Sequence, residues 1–311
     1  MTKYCFGIDI GGTSIKCGLF DIYGDIIDKW EITTRTEHNG VHILPDAANT
    51  IKDKMKKKNI KAEDILGVGI GIPGPVNQAG EISCAVNLHW GYVHVVEELE
   101  ALTGLTVKAG NDANMAALGE MYKGGAAGCH NVVLVTLGTG VGGGIIVQGQ
   151  MITGTHGAGG EIGHIHVDDN EEEKCNCGGQ GCLEQSTSAT GIVRLAKKAL
   201  SKSTKDSLLR GSEISAKLVF DGVKENDELA IEIVEQFGEF LGKALSMISC
   251  VVDPQVYVIG GGVSKAGPVL IHYIQKYYQK YAFPACRDTI FSLAELGNDA
   301  GIYGGAKLIL E

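Results

Sequence analysis

The sequence predicts an α/β protein with a duplicated pattern. Three observations point there: buried-type strands alternate with helical stretches, two strand–glycine turn–strand segments resemble one another, and glycine fills 45 of 311 positions, against an ordinary share of about 7%. The glycines cluster beside strands rather than in a low-complexity tract, as they do where something must approach the backbone.

Taken in order, Tyr4 to Ile10 is apolar up to Asp9, Gly11-Gly12-Thr13 turns, Ile15 to Phe20 returns, and Ile26 to Thr33 follows a Tyr23-Gly24-Asp25 turn, so three strands are expected. A helix over about 44 to 58 carries the one basic run, Lys52 to Lys61. Its apolar interruptions, Ile51, Met55 and Ile60, make the lysines the solvated side of an amphipathic helix. Ile65 to Ile72 reads as a buried strand ended by Pro73-Gly74-Pro75, and a helix near 92 to 103 leads to a strand at Leu105 to Ala109. Asn111-Asp112 opens a helical pattern through Met115, Leu118 and Met121. The second part begins as the first does: Val132 to Leu137 is a buried strand, Gly138-Thr139-Gly140 turns, and Gly144 to Gln148 returns. Phe6 to Thr13 and Val133 to Gly140 share an apolar strand with one polar residue before its last position, then a glycine–threonine turn. A long helix near 226 to 250 places Leu229, Ile233, Phe237, Leu241, Leu245 and Ile248 on one face. A buried strand at Val256 to Ile259, Gly260-Gly261-Gly262 and a helix from about 267 complete the reading.

The net charge of −10 argues against a nucleic-acid binder, whose footprint is a basic face. No stretch approaches the roughly 20 apolar residues of a membrane span. Met1-Thr2-Lys3 leads straight into a strand pattern, so no signal peptide is expected. Of nine cysteines, Cys175, Cys177 and Cys182 sit together and the rest are scattered, which suits a metal site in a reduced compartment better than a disulfide framework; a cytoplasmic protein is expected.

Backbone N–H groups in a glycine-rich turn can converge on an anion because no Cβ obstructs the approach. Taken singly, each turn is either a phosphate cradle or a plain tight turn; paired on similar hairpins, they favour phosphate. Gly138, Gly140 and Gly143 fit the spacing of the dinucleotide fingerprint, but Ile145-Ile146-Val147 reads as strand where that motif needs a helix, and no Walker pattern is present. Asp9, one position before the first turn, either holds Mg²⁺ through water or bonds its own turn. Asn111 and Asp112 suit a helix N-cap. The same position keeps Asp112 ionised and able to accept a proton, as phosphoryl transfer to a hydroxyl requires. His164, Cys175, Cys177 and Cys182 supply the ligands of a closed Cys₃His structural zinc site, with His166 an alternative ligand and a redox cluster the competing reading. Glu161 and Glu184 bracket this loop as hydroxyl acceptors of the kind a sugar requires.

These residues resemble the ROK family of sugar kinases and repressors, and within it the glucokinases. The resemblance runs through Asp9 to Thr13, Ile72 to Val76, Asn111 to Asn114, Leu137 to Gly144, Gly160 to His164, the cysteine loop through Glu184, and Gly260 to Val263. It implies the actin-like ATPase (ribonuclease H-like) fold, with two α/β lobes around a central cleft. The expected division is an N-terminal lobe over 1–110 and a C-terminal lobe over 111–311, the last helix packing back on the first lobe. The resemblance also implies ATP-dependent phosphorylation of glucose to glucose 6-phosphate. Asp112 would be the base, and Gly74, Asn87, Asn111, Asp112, Glu161, His164 and Glu184 would line the sugar site. Asp9, Gly11, Gly12, Thr13, Lys16, Gly138, Thr139 and Gly140 would serve the phosphates and Mg²⁺, and Gly261 with Gly262 the adenosine. Zinc would take His164, Cys175, Cys177 and Cys182. Asn176 stands where many members carry glycine. Small-molecule hexose and ATP are the expected partners, and a homodimer the expected assembly. Kinases of N-acetylmannosamine, fructose or allose are the alternatives. A ROK repressor is disfavoured because the phosphate motif begins by Asp9, leaving no room for a helix-turn-helix ahead of it, and an actin-like filament protein because it has no use for the zinc loop.

Overall fold

The computed structural model describes residues 3–311. Met1 and Thr2, on which the reading of the N-terminus partly rests, lie outside the described residues. Two compact units emerge, and they do not divide at 110/111: of the described residues, the first contains 3–128, 144–160 and 295–311, the second 129–143 and 161–294.

In the first unit, β1 (Tyr4–Ile10), β2 (Ser14–Asp21) and β3 (Ile26–Thr33) form an antiparallel meander. Then α1 (Ile43–Lys58) leads to β4 (Ile65–Ile72), and α2 (Val95–Thr103) to β5 (Val107–Asn111), which runs into α3 (Asp112–Lys123). The sheet order is β3-β2-β1-β4-β5, with β4 parallel to β1 and β5 parallel to β4. The reason for α1 is a stripe of Ile43, Leu44, Ala47, Ala48 and Ile51, all buried, opposite its lysines; left-handed Asn59 ends it. Those residues close one face of the sheet over Phe6, Ile8, Ile15, Leu19, Val68 and Ile70. The other face, with Cys5 and Phe20, packs on Ile302 and Ala306 of α9 (Ala300–Leu310). Contact there is backbone to backbone. A Cβ on Gly7 would meet the Ile302 carbonyl oxygen at 1.9 Å, and one on Gly304 the Met115 carbonyl oxygen at 1.8 Å.

The second half of the chain contains β6 (Val132–Leu137), β7 (Val141–Val147) and β8 (Gln150–Met151). Beyond them come α4 (Glu184–Thr187), α5 (Ala189–Lys202), α6 (Ala216–Lys224), α7 (Glu228–Val252), β9 (Val256–Gly260), α8 (Pro268–Tyr281) and β10 (Ile290–Leu293). The sheet order, read from its last-named edge, is β8-β7-β6-β9-β10, the order of the first sheet repeated. The expected duplication is therefore present as topology. In the second unit α7 packs against α5, α6 and α8. Beneath it the Ser249 hydroxyl lies 2.8 Å from both the Tyr257 and Tyr278 hydroxyls, which satisfies three buried polar groups together.

The strands at 26–33, 65–72 and 132–137 match expectation to the residue. The return strand after the second turn starts at Val141 instead of Gly144, because Gly142 and Gly143 are extended rather than looped. Within that strand Gly144 is glycine because α3 approaches so closely that a Cβ would meet Ala113 O and Ala117 Cβ, each at 2.6 Å. Five of these elements have no counterpart in the sequence reading: β8, α4, α5, α6 and β10. No helix among the described residues is long and apolar enough to cross a membrane.

Candidate active site and metal centre

In the first unit, Asp9 is the penultimate residue of β1, where the register sets it opposite Lys16 of β2 and Gly71 of β4. Its carboxylate lies 3.9 Å from Lys16 Nζ, and a Cβ on Gly301 of α9 would meet its Cγ at 2.7 Å. Burial in this corner pushes the carboxyl up to about 6, against the pull of Lys16 and with a smaller push from Asp112. Gly12 and Thr13 of the following turn are exposed. The turn is held from outside the hairpin: Thr34 Oγ1 donates to the Gly11 carbonyl at 2.7 Å, and the Thr34 N–H donates to the Thr13 carbonyl at 3.0 Å.

Asn111 caps α3, its Oδ1 accepting from the Ala113 and Asn114 N–H groups at 2.9 and 3.2 Å, and its Nδ2 donates to the Gly74 carbonyl at 3.0 Å. Asp112 is the first residue of that helix, half-buried, with Oδ1 accepting from Ala113 N–H at 2.8 Å. Its carboxylate therefore sits at the positive end of a twelve-residue helix. Gly74 has φ +107 and leaves no room for a Cβ beside the Cys84 carbonyl oxygen, 2.7 Å away. Asn87 is exposed on a single turn at Val86–Leu88, its backbone oxygen beside Gly12. Glu81 braces this loop by accepting from Asn77, Tyr92 and His94 at 2.7, 2.6 and 2.9 Å, and the Trp90 indole N–H donates to the Gly40 carbonyl at 3.1 Å.

The second unit carries the other turn and the cysteine loop. His164, Cys175, Cys177 and Cys182 bring one ligand atom each within 4.8 Å of one another. Cys175 Sγ lies 3.8 Å from His164 Nδ1, and Cys177 Sγ 3.6 Å from Cys182 Sγ. Tetrahedral zinc with bonds of about 2.3 Å to sulfur and 2.0 Å to nitrogen separates its ligands by about 3.5–3.8 Å, so this donor set fits zinc in both chemistry and spacing. His166 is not part of the cluster. Its Nδ1 lies 2.8 Å from the Gln180 carbonyl oxygen and its Nε2 2.8 Å from Asp169.

Glu184, at the start of α4, connects three functions. Oε1 lies 3.0 Å from Cys175 Sγ and 3.9 Å from His164 Nδ1, and Oε2 accepts from the Val141 N–H at 3.4 Å. A Cβ on Gly140 would meet that Oε2 at 2.5 Å, so any side chain there would displace the carboxylate. Glu161 is more exposed, 3.9 Å from His164 Nε2. A cavity of 310 Å³ opens beside these groups, lined among others by Thr139, Gly140, Glu184, Thr190 and Arg194. Gly261, with φ +81 against the Leu137 backbone, leads from β9 to Gly262 on the edge of a 390 Å³ cavity lined by Ala189, Phe220 and Val263.

Sequence reasoning missed what supports the loop. Buried Glu171 is bonded to Arg194 and accepts from the Glu173 N–H at 2.9 Å. The guanidinium holds its carboxyl down to about 2, and Arg194 also donates to the Gln185 carbonyl. Gln180 and Gln185 donate to the carbonyls of Glu172 and Glu173, tying the acidic stretch to the cysteine loop. A run of three glutamates reads as solvated surface, and nothing local pairs the first of them with a helix more than twenty residues on.

The chain matches the ROK family over residues 5–311 and belongs to that family. It is 40% identical to a glucokinase of Halalkalibacterium halodurans over 99% of this chain and 95% of that one. To a glucokinase of Thermotoga maritima it is 35% identical, over 98% and 96%. It is also similar to the crystal structure of a ROK family glucokinase from Streptomyces griseus in complex with glucose and AMPPNP, with TM-score 0.75 and 30% identity over 98% of each chain. Its fold is the actin-like ATPase fold of the ROK sugar kinases.

Proposed function

We propose that the chain is an ATP-dependent glucokinase that transfers the γ-phosphate of ATP to the 6-hydroxyl of glucose. The observation that carries the reading is Glu184. One carboxylate reaches both the second glycine turn and the metal-type cysteine loop, in a chain 40% identical to a glucokinase.

Asn87, Asn111, the Gly74 backbone, Glu161, His164 and Glu184 take up the sugar hydroxyls. Asp112 accepts the proton of the 6-hydroxyl as its oxygen bonds to the γ-phosphorus and the bridging oxygen leaves with ADP. Turn N–H groups at 12–13 and 139–140, with Lys16, bind phosphate oxygens, while those of Gly11 and Gly138 close the turns on Ser14 and Gly140, and Phe220 and Val263 beside Gly262 offer an apolar wall for the adenine. Asp9 would hold Mg²⁺ through water, and the ion supplies neutralisation of phosphate charge. His164, Cys175, Cys177 and Cys182 would hold zinc with no position open, so its contribution is to the shape of the loop that presents Glu184. The protein works in the cytoplasm as a homodimer, an assembly that light scattering on the purified protein checks.

A coupled assay with ATP across glucose, N-acetylmannosamine, fructose and allose, with product analysis by NMR, tests the reading. Glucose should have the highest kcat/KM, with phosphate on C6. N-acetylmannosamine outperforming glucose would overturn the choice of sugar, and phosphate on C1 would overturn the assignment of Asp112 to the 6-hydroxyl.

A further inference from the structure

We propose that Thr190 and Thr34 are positioning residues that aim the backbone N–H groups of the two phosphate turns. The inference rests on the nucleotide reading of those turns given above.

In the second turn the Gly138 carbonyl accepts from the Ala189 N–H at 2.8 Å, and the Thr139 carbonyl accepts from the Thr190 hydroxyl at 2.7 Å. A trans peptide is planar and carries its C=O and N–H on opposite edges. Drawing these two carbonyls toward the start of α5 therefore turns the N–H groups of Thr139 and Gly140 the other way, where an anion can collect both. The hydroxyl that does this is itself placed: Ser188 Oγ lies 2.9 Å from Thr190 Oγ1 while capping α5 through the Gly191 N–H and donating to the Glu184 carbonyl at 2.7 Å.

The first turn, in the other unit, carries a related device one residue earlier. There Thr34 Oγ1 holds the Gly11 carbonyl, so the N–H of Gly12 is directed away from Thr34. Thr34 follows β3 whereas Thr190 opens α5. Repetition of the hairpin does not account for the match, since the two hydroxyls come from different places in the architecture. The carbonyls are one position apart, since Gly11 corresponds to Gly138, which the Ala189 N–H holds, while Thr190 takes that of Thr139; what the turns share is a carbonyl restrained by a threonine hydroxyl from outside the hairpin.

Thr190 is exposed, so replacing its hydroxyl by a methyl leaves the core untouched. Thr190→Val should raise the Kd for AMPPNP by calorimetry, and the KM for ATP, about tenfold, the weight of one hydrogen bond. KM for glucose and Tm should stay at wild-type values, and Thr190→Ser should restore nucleotide affinity. Thr34→Val should move AMPPNP binding in the same direction, with Thr34→Ser again restoring it. Wild-type AMPPNP affinity in Thr190→Val overturns the inference, as does a fall in Tm accompanied by equal loss of glucose and nucleotide affinity. A wild-type protein that binds no AMPPNP overturns the nucleotide reading itself.

Discussion

Asp112 and Asn111 share one helix start but divide its tasks. Asn111 satisfies the first N–H groups of α3 and braces Gly74, and the Asp112 carboxylate lies in the helix field, where the proposed mechanism has it take a proton. Asp112→Asn should lower kcat by about 10²–10⁴-fold with little change in KM for glucose, read from steady-state kinetics. Asp9 is strained in the opposite sense. Its carboxyl is raised to about 6 by burial from an ordinary 3.8, so the folded chain binds a proton more tightly than the unfolded one between those values. Stability therefore falls as pH rises from about 4 to 6, and the loss persists above that. Ligand-free Asp9→Asn should melt higher than wild type at pH 7.5, and the gap should close toward pH 4; differential scanning calorimetry at both pH values checks it. Both residues were legible because each ends a strand or opens a helix beside a glycine turn. The third-party supports were not: Gly301, which makes room for Asp9, comes from a helix almost three hundred residues later.

At the scale of elements, the cysteine loop is a scaffold for Glu184. Left-handed Gly178 and Gly181 turn the chain, and a Cβ on Gly181 would meet the Asp168 carbonyl oxygen at 2.2 Å. Cys177→Ala should reduce zinc measured by elemental analysis and lower Tm together, with activity lost as a consequence; fully active protein without zinc would contradict this reading. Cysteine spacing alone was enough to find this element, since ligands close in sequence need no tertiary knowledge. The segment 189–224 does carry local helix signals, with Ser188 and Ser215 as caps and Ile192, Leu195, Ala196 and Val219, Phe220, Val223 as buried faces, so α5, which supplies Thr190 and Arg194, and α6 were legible though unassigned. β10 is short and half-exposed, so it lacks the apolar run that revealed β9.

For the whole molecule, the duplication was readable from two similar turns, but the sheet order and the boundary of the units were not. Local signals placed it near 110; packing places α3, the strand end at 144–160 and α9 with the first unit. The glycines of α9 are what allow that packing. Gly304→Ala should cost about 1–3 kcal/mol, the range for overpacking a tight core, read from urea unfolding.

The position of α9 also fixes an order of events during synthesis. Residues 295–311, which cover one face of the first sheet, are made only after all of 161–294. At about 5–20 residues per second, roughly ten seconds or more separate Gly128 from Glu295 on the ribosome. Throughout that interval β1 and β4 expose the glycine-lined face meant for α9, while the second unit's long segment is itself being made. The first unit, although begun first, therefore cannot be completed until after residues 161–294 have been made. The nascent first unit is the part most in need of a chaperone, and it is released from that need by the arrival of a single small helix.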